Sequence, residues 1–202
     1  MIIEQPSKWL RWIYPKALWR MDKNDHSVYL TFDDGPIPES TPFILKTLDE
    51  FGVKATFFVV ADNVRKYPML YKQILDAGHC IGNHTYNHMG GARHRTSTYL
   101  ENVRKADEIL HTHLLRPPHG WMRPDQYAWL SRKYKIVMWD LVTRDYSRSL
   151  SADDVVRNVM RYSRNGSIIT FHDSLKSIEK LHYALPASLR WLQSQGYDFK
   201  TF

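Results

Sequence analysis

The chain has 202 residues, of which 43% are hydrophobic and 24% charged, a balance typical of one globular domain and not of a disordered chain. There are 28 Lys and Arg against 21 Asp and Glu, a net charge of +7, and the single cysteine excludes an internal disulfide framework. The basic residues form no block, so the charge does not predict nucleic-acid binding. No stretch approaches the roughly 18 apolar residues of a membrane-spanning helix.

The first 20 residues mix tryptophans with basic residues and include Pro15, so they lack the unbroken apolar run of a signal peptide. We expect residues 1–27 to form an N-terminal extension that packs on a single domain of residues 28–202. Peripheral contact with a membrane surface through residues 8–20 is the minor alternative, because Pro15 interrupts a long amphipathic helix.

Short apolar runs alternate with amphipathic stretches along the rest of the chain. Strands are predicted at residues 28–33, 54–60, 80–83, 114–117, 135–139, 167–171 and 197–202. Helices are predicted at residues 40–51, 62–77, 97–113, 124–133, 152–162 and 185–195. This alternation predicts an α/β fold with a parallel sheet, and about seven units in one domain predict a closed or nearly closed barrel.

Polar side chains follow most of these predicted strands. They are Asp33 and Asp34, His84 and His88, Arg116 and His119, Asp140 and Asp145, and His172 and Asp173. The carboxyl ends of barrel strands share one face, where the chemistry of such folds lies. We therefore expect carboxylates, imidazoles and a guanidinium to converge on one mouth.

Two of these groups together predict a metal site. His84 and His88 are four residues apart and can present two imidazole nitrogens to one ion. Asp33 and Asp34 are adjacent carboxylates at the end of a buried strand, where they repel unless a cation is present. Taken singly, the histidine pair also fits a surface site, and Asp34-Gly35-Pro36 also fits an ordinary turn.

Five ordered segments resemble the motifs of the polysaccharide deacetylases, which form the NodB-homology group or carbohydrate esterase family 4. The segments are Thr31–Pro36, His84–His88, Arg116–Gly120, Trp139–Asp145 and Ile168–Asp173. The resemblance covers about residues 28–202. It implies a distorted (β/α) barrel of seven or eight strands. It also implies a metal-dependent hydrolase that removes acetyl or similar acyl groups from an amino-sugar-containing polysaccharide or oligosaccharide.

The resemblance assigns the metal to Asp34, His84 and His88. Zinc is the first expectation for the metal, with cobalt, nickel or iron as alternatives. In the family pattern Asp33 matches the catalytic base, and Arg116 matches the arginine that holds it.

The remaining matched positions concern the leaving group and the acyl group. His172 matches the catalytic acid, Asp145 matches the carboxylate that tunes it, and His119 matches the residue whose backbone N–H binds the oxyanion. Tyr146 and Thr170 stand where the family usually has Trp and Leu in the acyl pocket. This departure leaves the acyl group and the sugar less well determined than the reaction.

Two tryptophans complete the predicted substrate pocket, Trp139 and Trp121. Trp121 follows Gly120 at the predicted mouth, where an indole can either stack on a sugar ring or pack the loop. The expected partner is a carbohydrate polymer or oligomer. Without an export signal the sequence predicts a cytoplasmic protein, while the implied substrate class favours the cell envelope.

Two other functions fit the same residues. One is a metal-dependent amidohydrolase that acts on a small N-acyl, imide or ureide compound. The other is a carbohydrate-binding protein without turnover. The presence of Asp33, Asp34, His84, His88 and His172 together argues against the second of these.

Overall fold

Within residues 4–202, which are those that this computed structural model describes, eight strands alternate with eight α-helices. The strands are β1 (Ser27–Asp33), β2 (Thr56–Val59), β3 (Cys80–Asn83), β4 (Leu114–Leu115), β5 (Lys135–Ile136), β6 (Leu141–Val142), β7 (Ser167–His172) and β8 (Asp198–Phe199). The helices are α1 (Lys8–Ile13), α2 (Thr41–Glu50), α3 (Ala61–Lys66), α4 (Pro68–Asp76), α5 (Thr96–Leu110), α6 (Pro124–Leu130), α7 (Ala152–Tyr162) and α8 (Ile178–Ser194).

The strands are parallel and follow the order β5-β4-β3-β2-β1-β7-β6, with β8 paired to the start of β1. The two end strands, β5 and β6, are successive parts of one run of chain, so the sheet curls round on itself. At this seam Leu18 bridges to Val137 and Arg20 bridges to Ser167. The predicted distorted (β/α) barrel is thereby confirmed.

Alternate residues of β1 face opposite sides of the sheet, as in any strand. Val28, Leu30 and Phe32 belong to the buried cluster between the sheet and the helices. Tyr29 instead belongs to the cluster inside the barrel. Asp33 shares the parity of Tyr29, so its carboxylate lies at the carboxyl end of the barrel interior.

The helix predicted at residues 62–77 is two helices, α3 and α4, which meet at Tyr67. Pro68 follows directly, and the residue before a proline is disfavoured in helical conformation. Tyr67 accordingly has φ −127° and ψ 58°. The last helix, predicted to begin at residue 185, begins at Ile178 and carries Pro186 in its interior. Leu181 and Ala184 are buried on this earlier part, and their apolar face outweighs the local cost of the proline.

The strand predicted at residues 135–139 is also shorter than expected. β5 ends at Ile136, and β6 begins only at Leu141. β5 pairs with β4, whereas β6 pairs with β7. One run of residues therefore forms both edge strands of the sheet. The predicted final strand at residues 197–202 is reduced to β8.

The segment before β1 packs against the barrel through Leu10, Tyr14 and Trp19, all of which are buried. The backbone N–H of Leu18 donates to the Ile136 carbonyl, and the Leu18 carbonyl accepts from Met138, each at 2.8 Å. The segment therefore belongs to the barrel wall at the seam. A domain boundary at residue 27 stays a prediction. In the described part of the chain, residues 4–202, the helices are too short or too polar to cross a membrane.

Candidate active site

Asp33 lies at the last position of β1, where it is buried and paired with Arg116. Nη1 of Arg116 donates to Asp33 Oδ1 at 2.6 Å and to the Thr31 hydroxyl at 2.7 Å. The other nitrogens of the guanidinium donate to backbone carbonyls, Nε to Val137 at 3.2 Å and Nη2 to Met138 at 2.8 Å. The guanidinium is fixed on three sides and holds the Asp33 carboxylate in one orientation.

Arg116 is fully enclosed, and its guanidinium carbon lies 4.1 Å from the centre of the Phe58 ring. Burial lowers the pKa of Arg116, and the Asp33 charge opposes that shift. A guanidinium stays protonated in proteins, so a buried Arg116 requires an anion beside it. Asp33 supplies that anion.

Asp34, His84 and His88 bring three ligand atoms within 4.8 Å of one another. Asp34 Oδ1 lies 3.5 Å from His84 Nε2 and 3.2 Å from His88 Nε2. Burial alone would raise the pKa of Asp34, but the two imidazoles beside it hold that pKa well below its usual value. The carboxylate is therefore ionised at neutral pH.

The orientation of His84 shows that this cluster fits a cation. His84 Nδ1 lies 2.8 Å from the Arg116 carbonyl oxygen, which can only accept a hydrogen bond. Nδ1 therefore carries a proton, and an Nε2 that carries none turns a lone pair toward Asp34. Two acceptors that face each other are stabilised by a cation between them. Two imidazole nitrogens and one carboxylate oxygen are ligands suited to zinc and similar divalent metals.

His172 lies at the end of β7, in register with Asp33 across the β1–β7 pair. Its Nδ1 lies 2.8 Å from Asp145 Oδ1, and its backbone N–H donates to Asp145 Oδ2 at 2.7 Å. Burial by itself would lower the pKa of His172. The charge and hydrogen bond of Asp145, assisted by the nearby aspartates, outweigh burial and raise that pKa to about 9. The ring therefore holds a proton at neutral pH.

Positive φ angles concentrate around these residues. In the described chain, five of the six non-glycine residues with positive φ are Asp34, Thr85, His88, His119 and Arg144. Such conformations cost on the order of 1–3 kcal/mol each and persist where the surroundings enforce them. The sequence carries no glycine signal at these positions, so this strain could not be predicted from it.

His119 lies on the loop after β4, and its ring meets His88 edge-on with centroids 4.9 Å apart. The loop packs tightly here, because a Cβ atom on the next residue, Gly120, would lie 2.3 Å from the Trp139 ring. Trp139 in turn meets Trp19 edge-on, with ring centroids 5.6 Å apart. Trp139 thus supports the loop from below, while Trp121 is 40% exposed at its tip.

Tyr146 and Thr170 take different positions. The Tyr146 ring meets the His172 ring edge-on, with centroids 4.6 Å apart, and so lies at the mouth. The Thr170 hydroxyl lies 3.1 Å from the Thr31 hydroxyl, which donates to the Ile169 carbonyl. A hydroxyl has one proton, so Thr170 is the donor in its contact with Thr31. Its hydrogen is directed into the network beneath Asp33.

A family model described as Polysaccharide deacetylase matches residues 20–137, more than half of the chain. The chain belongs to the polysaccharide deacetylase family.

Related proteins agree with this assignment. A Bacillus cereus protein named peptidoglycan-N-acetylglucosamine deacetylase is 39% identical over 190 residues, which cover 88% of this chain and 67% of the relative. A solved peptidoglycan N-acetylglucosamine deacetylase, in complex with an N-hydroxybenzamide, is 34% identical with a TM-score of 0.85 and coverages of 98% and 94%. A carbohydrate esterase family 4 pseudoenzyme from Bacillus anthracis is 26% identical with a TM-score of 0.79, over 93% of this chain and 68% of that one.

One residue expected at the mouth of this polysaccharide deacetylase family member lies elsewhere. Asp140 binds Arg11 and Arg164, and it accepts a hydrogen bond from Ser167 at the amino end of β7. Because β5 ends early, Asp140 precedes β6 and stands at the amino end of that strand. The prediction that Asp140 joins the mouth is therefore wrong.

Two site residues had no role assigned from the sequence. Thr31 links Arg116 to Thr170 beneath Asp33. Asp173 is fully buried behind the Asp34–Gly35 turn, where Ser40 and Thr41 donate hydrogen bonds to its two oxygens. Burial raises the pKa of Asp173 to about 7 against the opposing effect of these hydroxyls. No pattern in the sequence marks Ser40 and Thr41 as hydrogen-bond partners of Asp173.

Proposed function

We propose that this member of the polysaccharide deacetylase family hydrolyses the acetamide of N-acetylated amino sugars in a cell-wall glycan, with a divalent metal at Asp34, His84 and His88. The observation that carries the proposal is the placement of two opposed proton-handling groups beside the ligand cluster. Asp33 is paired with Arg116, and His172 is held protonated by Asp145.

A divalent cation at this cluster supplies electrophilic polarisation of the acyl oxygen and lowers the pKa of a nearby water molecule. Zinc suits the ligand set best, and cobalt, nickel or iron can occupy the same ligands. His84 is oriented for this role by the Arg116 carbonyl, and His88 is packed between His84 and His119.

Asp33 acts as the general base. It is adjacent in sequence to the ligand Asp34, so its carboxylate lies beside the water that attacks the acyl carbon. Asp33 accepts the proton of that water as the carbon–oxygen bond forms. Arg116 stabilises the ionised carboxylate before the step and prevents it from turning away.

His172 acts as the general acid. As the carbon–nitrogen bond breaks, the protonated ring gives its proton to the departing nitrogen, and the products are acetate and a free amino sugar. Asp145 keeps the ring charged and fixes which nitrogen faces the substrate. The backbone N–H of His119 stabilises the negative charge on the acyl oxygen of the tetrahedral state.

The substrate class rests on the names of the relatives and on the open mouth. Peptidoglycan is the substrate in the names of the Bacillus cereus protein and of the solved deacetylase. A glycan of this type carries acidic groups, which suits a chain with a net charge of +7. Action on such a glycan places the protein at the cell envelope.

Two alternatives are separated by one experiment. The purified protein is stripped with a chelator, reloaded with Zn²⁺, Co²⁺, Ni²⁺ or Fe²⁺, and assayed for acetate release from N-acetylglucosamine oligomers and from peptidoglycan. Metal-dependent release supports the proposal. Stoichiometric metal with release only from small N-acyl or ureide compounds would favour the amidohydrolase alternative. Glycan binding without release would favour a pseudoenzyme, as in the Bacillus anthracis structural relative.

A further inference from the structure

Two exposed indoles lie side by side next to the candidate site. The rings of Trp9 on α1 and Trp121 on the loop after β4 have centroids 5.7 Å apart and planes 33° apart. Trp9 is 55% exposed and Trp121 is 40% exposed, so each ring contacts the other and also leaves apolar surface in solvent. We call this pair the aromatic shelf.

The shelf is held rigidly from below by Tyr14, which is fully buried. The Tyr14 hydroxyl accepts a hydrogen bond from the Met122 N–H at 2.8 Å and donates to the Met122 carbonyl at 2.7 Å. This double contact joins the segment after α1 to the residue that follows Trp121. Arg11 adds a second anchor through the buried Asp140 carboxylate at 2.9 Å. An indole on such a support loses little conformational entropy when it binds a ligand.

The shelf continues the mouth of the candidate site. Trp121 is two residues after His119, so their Cα atoms are at most about 7.6 Å apart. His119 itself contacts His88, one of the three clustered ligand residues. A sugar next to the one in the site is therefore within reach of this surface.

The chemistry of the shelf fits a sugar ring. A pyranose has a flat face of C–H groups, which packs on the face of an aromatic ring, while its hydroxyls stay in water. Two solvent-exposed indoles at the edge of a polar site are the surface that such a face requires.

The same surface is a poor membrane anchor. α1 has only six residues, and although its Trp12 is 82% exposed, Leu10 and Tyr14 are turned into the protein. Insertion into a bilayer interface uses a continuous apolar face on an amphipathic helix, and the buried Leu10 and Tyr14 are not available to such a face.

We infer that Trp9 and Trp121 form a subsite for a sugar residue adjacent to the one that is deacetylated, in β-linked N-acetylhexosamine oligomers. The inference rests on the proposed function for the identity of the polymer. The subsite makes the protein bind longer oligomers more tightly than shorter ones. It depends on the N-terminal segment, which the reaction itself does not require.

The test measures binding by calorimetry in the Asp33→Asn background, so that turnover does not consume the ligand. The ligands are the disaccharide and the pentasaccharide of N-acetylglucosamine. Trp9→Ala and Trp121→Ala are each expected to raise the Kd of the pentasaccharide by about tenfold, which corresponds to about 1.4 kcal/mol. The Kd of the disaccharide is expected to change less than twofold.

Two further variants separate stacking from folding and from general apolar contact. Trp9→Phe is expected to restore most of the affinity, whereas Trp9→Leu is not. Trp129→Ala is the matched control. Trp129 lies on α6 and is 60% exposed, and its ring contacts the Arg132 guanidinium and not a second indole. Thermal melting checks that each variant is folded.

Two results would overturn the subsite. One is an unchanged pentasaccharide Kd in both shelf variants. The other is binding to vesicles of phosphatidylglycerol and phosphatidylcholine that Trp9→Ala abolishes while the pentasaccharide Kd stays the same. Because binding is measured without turnover, failure of the subsite is distinguishable from failure of the proposed reaction, which the acetate assay reports separately.

Discussion

Arg116 and Asp33 form a buried ion pair in which Nη1 lies 2.6 Å from Oδ1, with 2% and 8% of the two side chains exposed. The same guanidinium also binds two backbone carbonyls. Arg116 is thus both the partner of the proposed base and a tie between the strands around it. A change at this position affects rate and stability together.

We expect Arg116→Lys to lower kcat by about 100- to 1,000-fold, because an ammonium cannot reach Asp33 and both carbonyls at once. Loss of these contacts in a buried site is also expected to lower the free energy of unfolding by about 3–5 kcal/mol. Steady-state kinetics and urea unfolding measure the two effects. Arg104→Lys, in an exposed ion pair with Glu101, is the control. A kcat in Arg116→Lys within threefold of wild type would contradict this account.

The two adjacent aspartates are expected to separate metal binding from proton transfer. Asp33→Asn should retain stoichiometric metal while kcat collapses, because an amide cannot accept the proton of water. Asp34→Asn should lose tight metal binding, because a ligand oxygen loses its charge. Elemental analysis after dialysis against a weak chelator distinguishes them. If Asp33→Asn loses its metal and Asp34→Asn keeps it, the two roles are reversed.

The pH dependence of kcat should report the His172–Asp145 pair. As the proposed acid, His172 must be protonated to act, so we expect activity to fall as pH rises through its pKa, which Asp145 raises to about 9 against the effect of burial. A bound divalent cation disfavours the imidazolium, so the alkaline limb of the loaded enzyme lies below pH 9. Asp145→Asn removes the opposing charge and should move that limb down by at least about one pH unit. An unmoved alkaline limb would mean that His172 is not the group observed.

Acyl selectivity is expected to depend on Tyr146 and not on Thr170. The Thr170 hydroxyl already bonds Thr31, whereas Tyr146 lies against His172 at the mouth. Wild type should therefore accept N-glycolyl as well as N-acetyl sugars. Tyr146→Phe should lower the ratio of glycolyl to acetyl kcat/KM by about tenfold, which corresponds to the loss of one hydrogen bond. Thr170→Val is the matched control, and an equal change in that variant would refute the assignment.

Gly35 is expected to tolerate no side chain. A Cβ atom there would lie 1.9 Å from Asp173 Oδ2, which is itself fixed by Ser40 and Thr41. Gly35→Ala must displace either Asp173 or the neighbouring Asp34, a proposed metal ligand, at a cost of about 1–3 kcal/mol, and should weaken metal binding. Gly52→Ala is the control, because no atom of residues 4–202 lies within 4 Å of its Cβ position and its φ of 65° is the source of strain there. Metal affinity equal to that of Gly52→Ala would contradict the expectation.

The sequence predicted the barrel and the converging residues because both depend on local pattern. Alternating apolar runs place strands, and residues directly after a strand inherit its end of the sheet, which is why Asp34 and His172 were placed correctly. Asp140 was misplaced because its predicted position depended on where β5 ends, and β5 ends early. The strained φ of His119 and the hydrogen bond of Asp173 with Ser40 are set by tertiary packing, which produces no periodic pattern in the sequence.

The position of β1 in the middle of the sheet also governs how the protein is made. Its partner across the Thr31–Thr170 contact lies 139 residues later in the chain, so the central strand cannot gain both neighbours until most of the polypeptide has emerged from the ribosome. Such distant pairing slows folding and leaves an unpaired apolar strand exposed in the meantime. The nascent chain is therefore expected to depend on chaperones until β7 arrives, and Asp33 and His172 meet only at that late step.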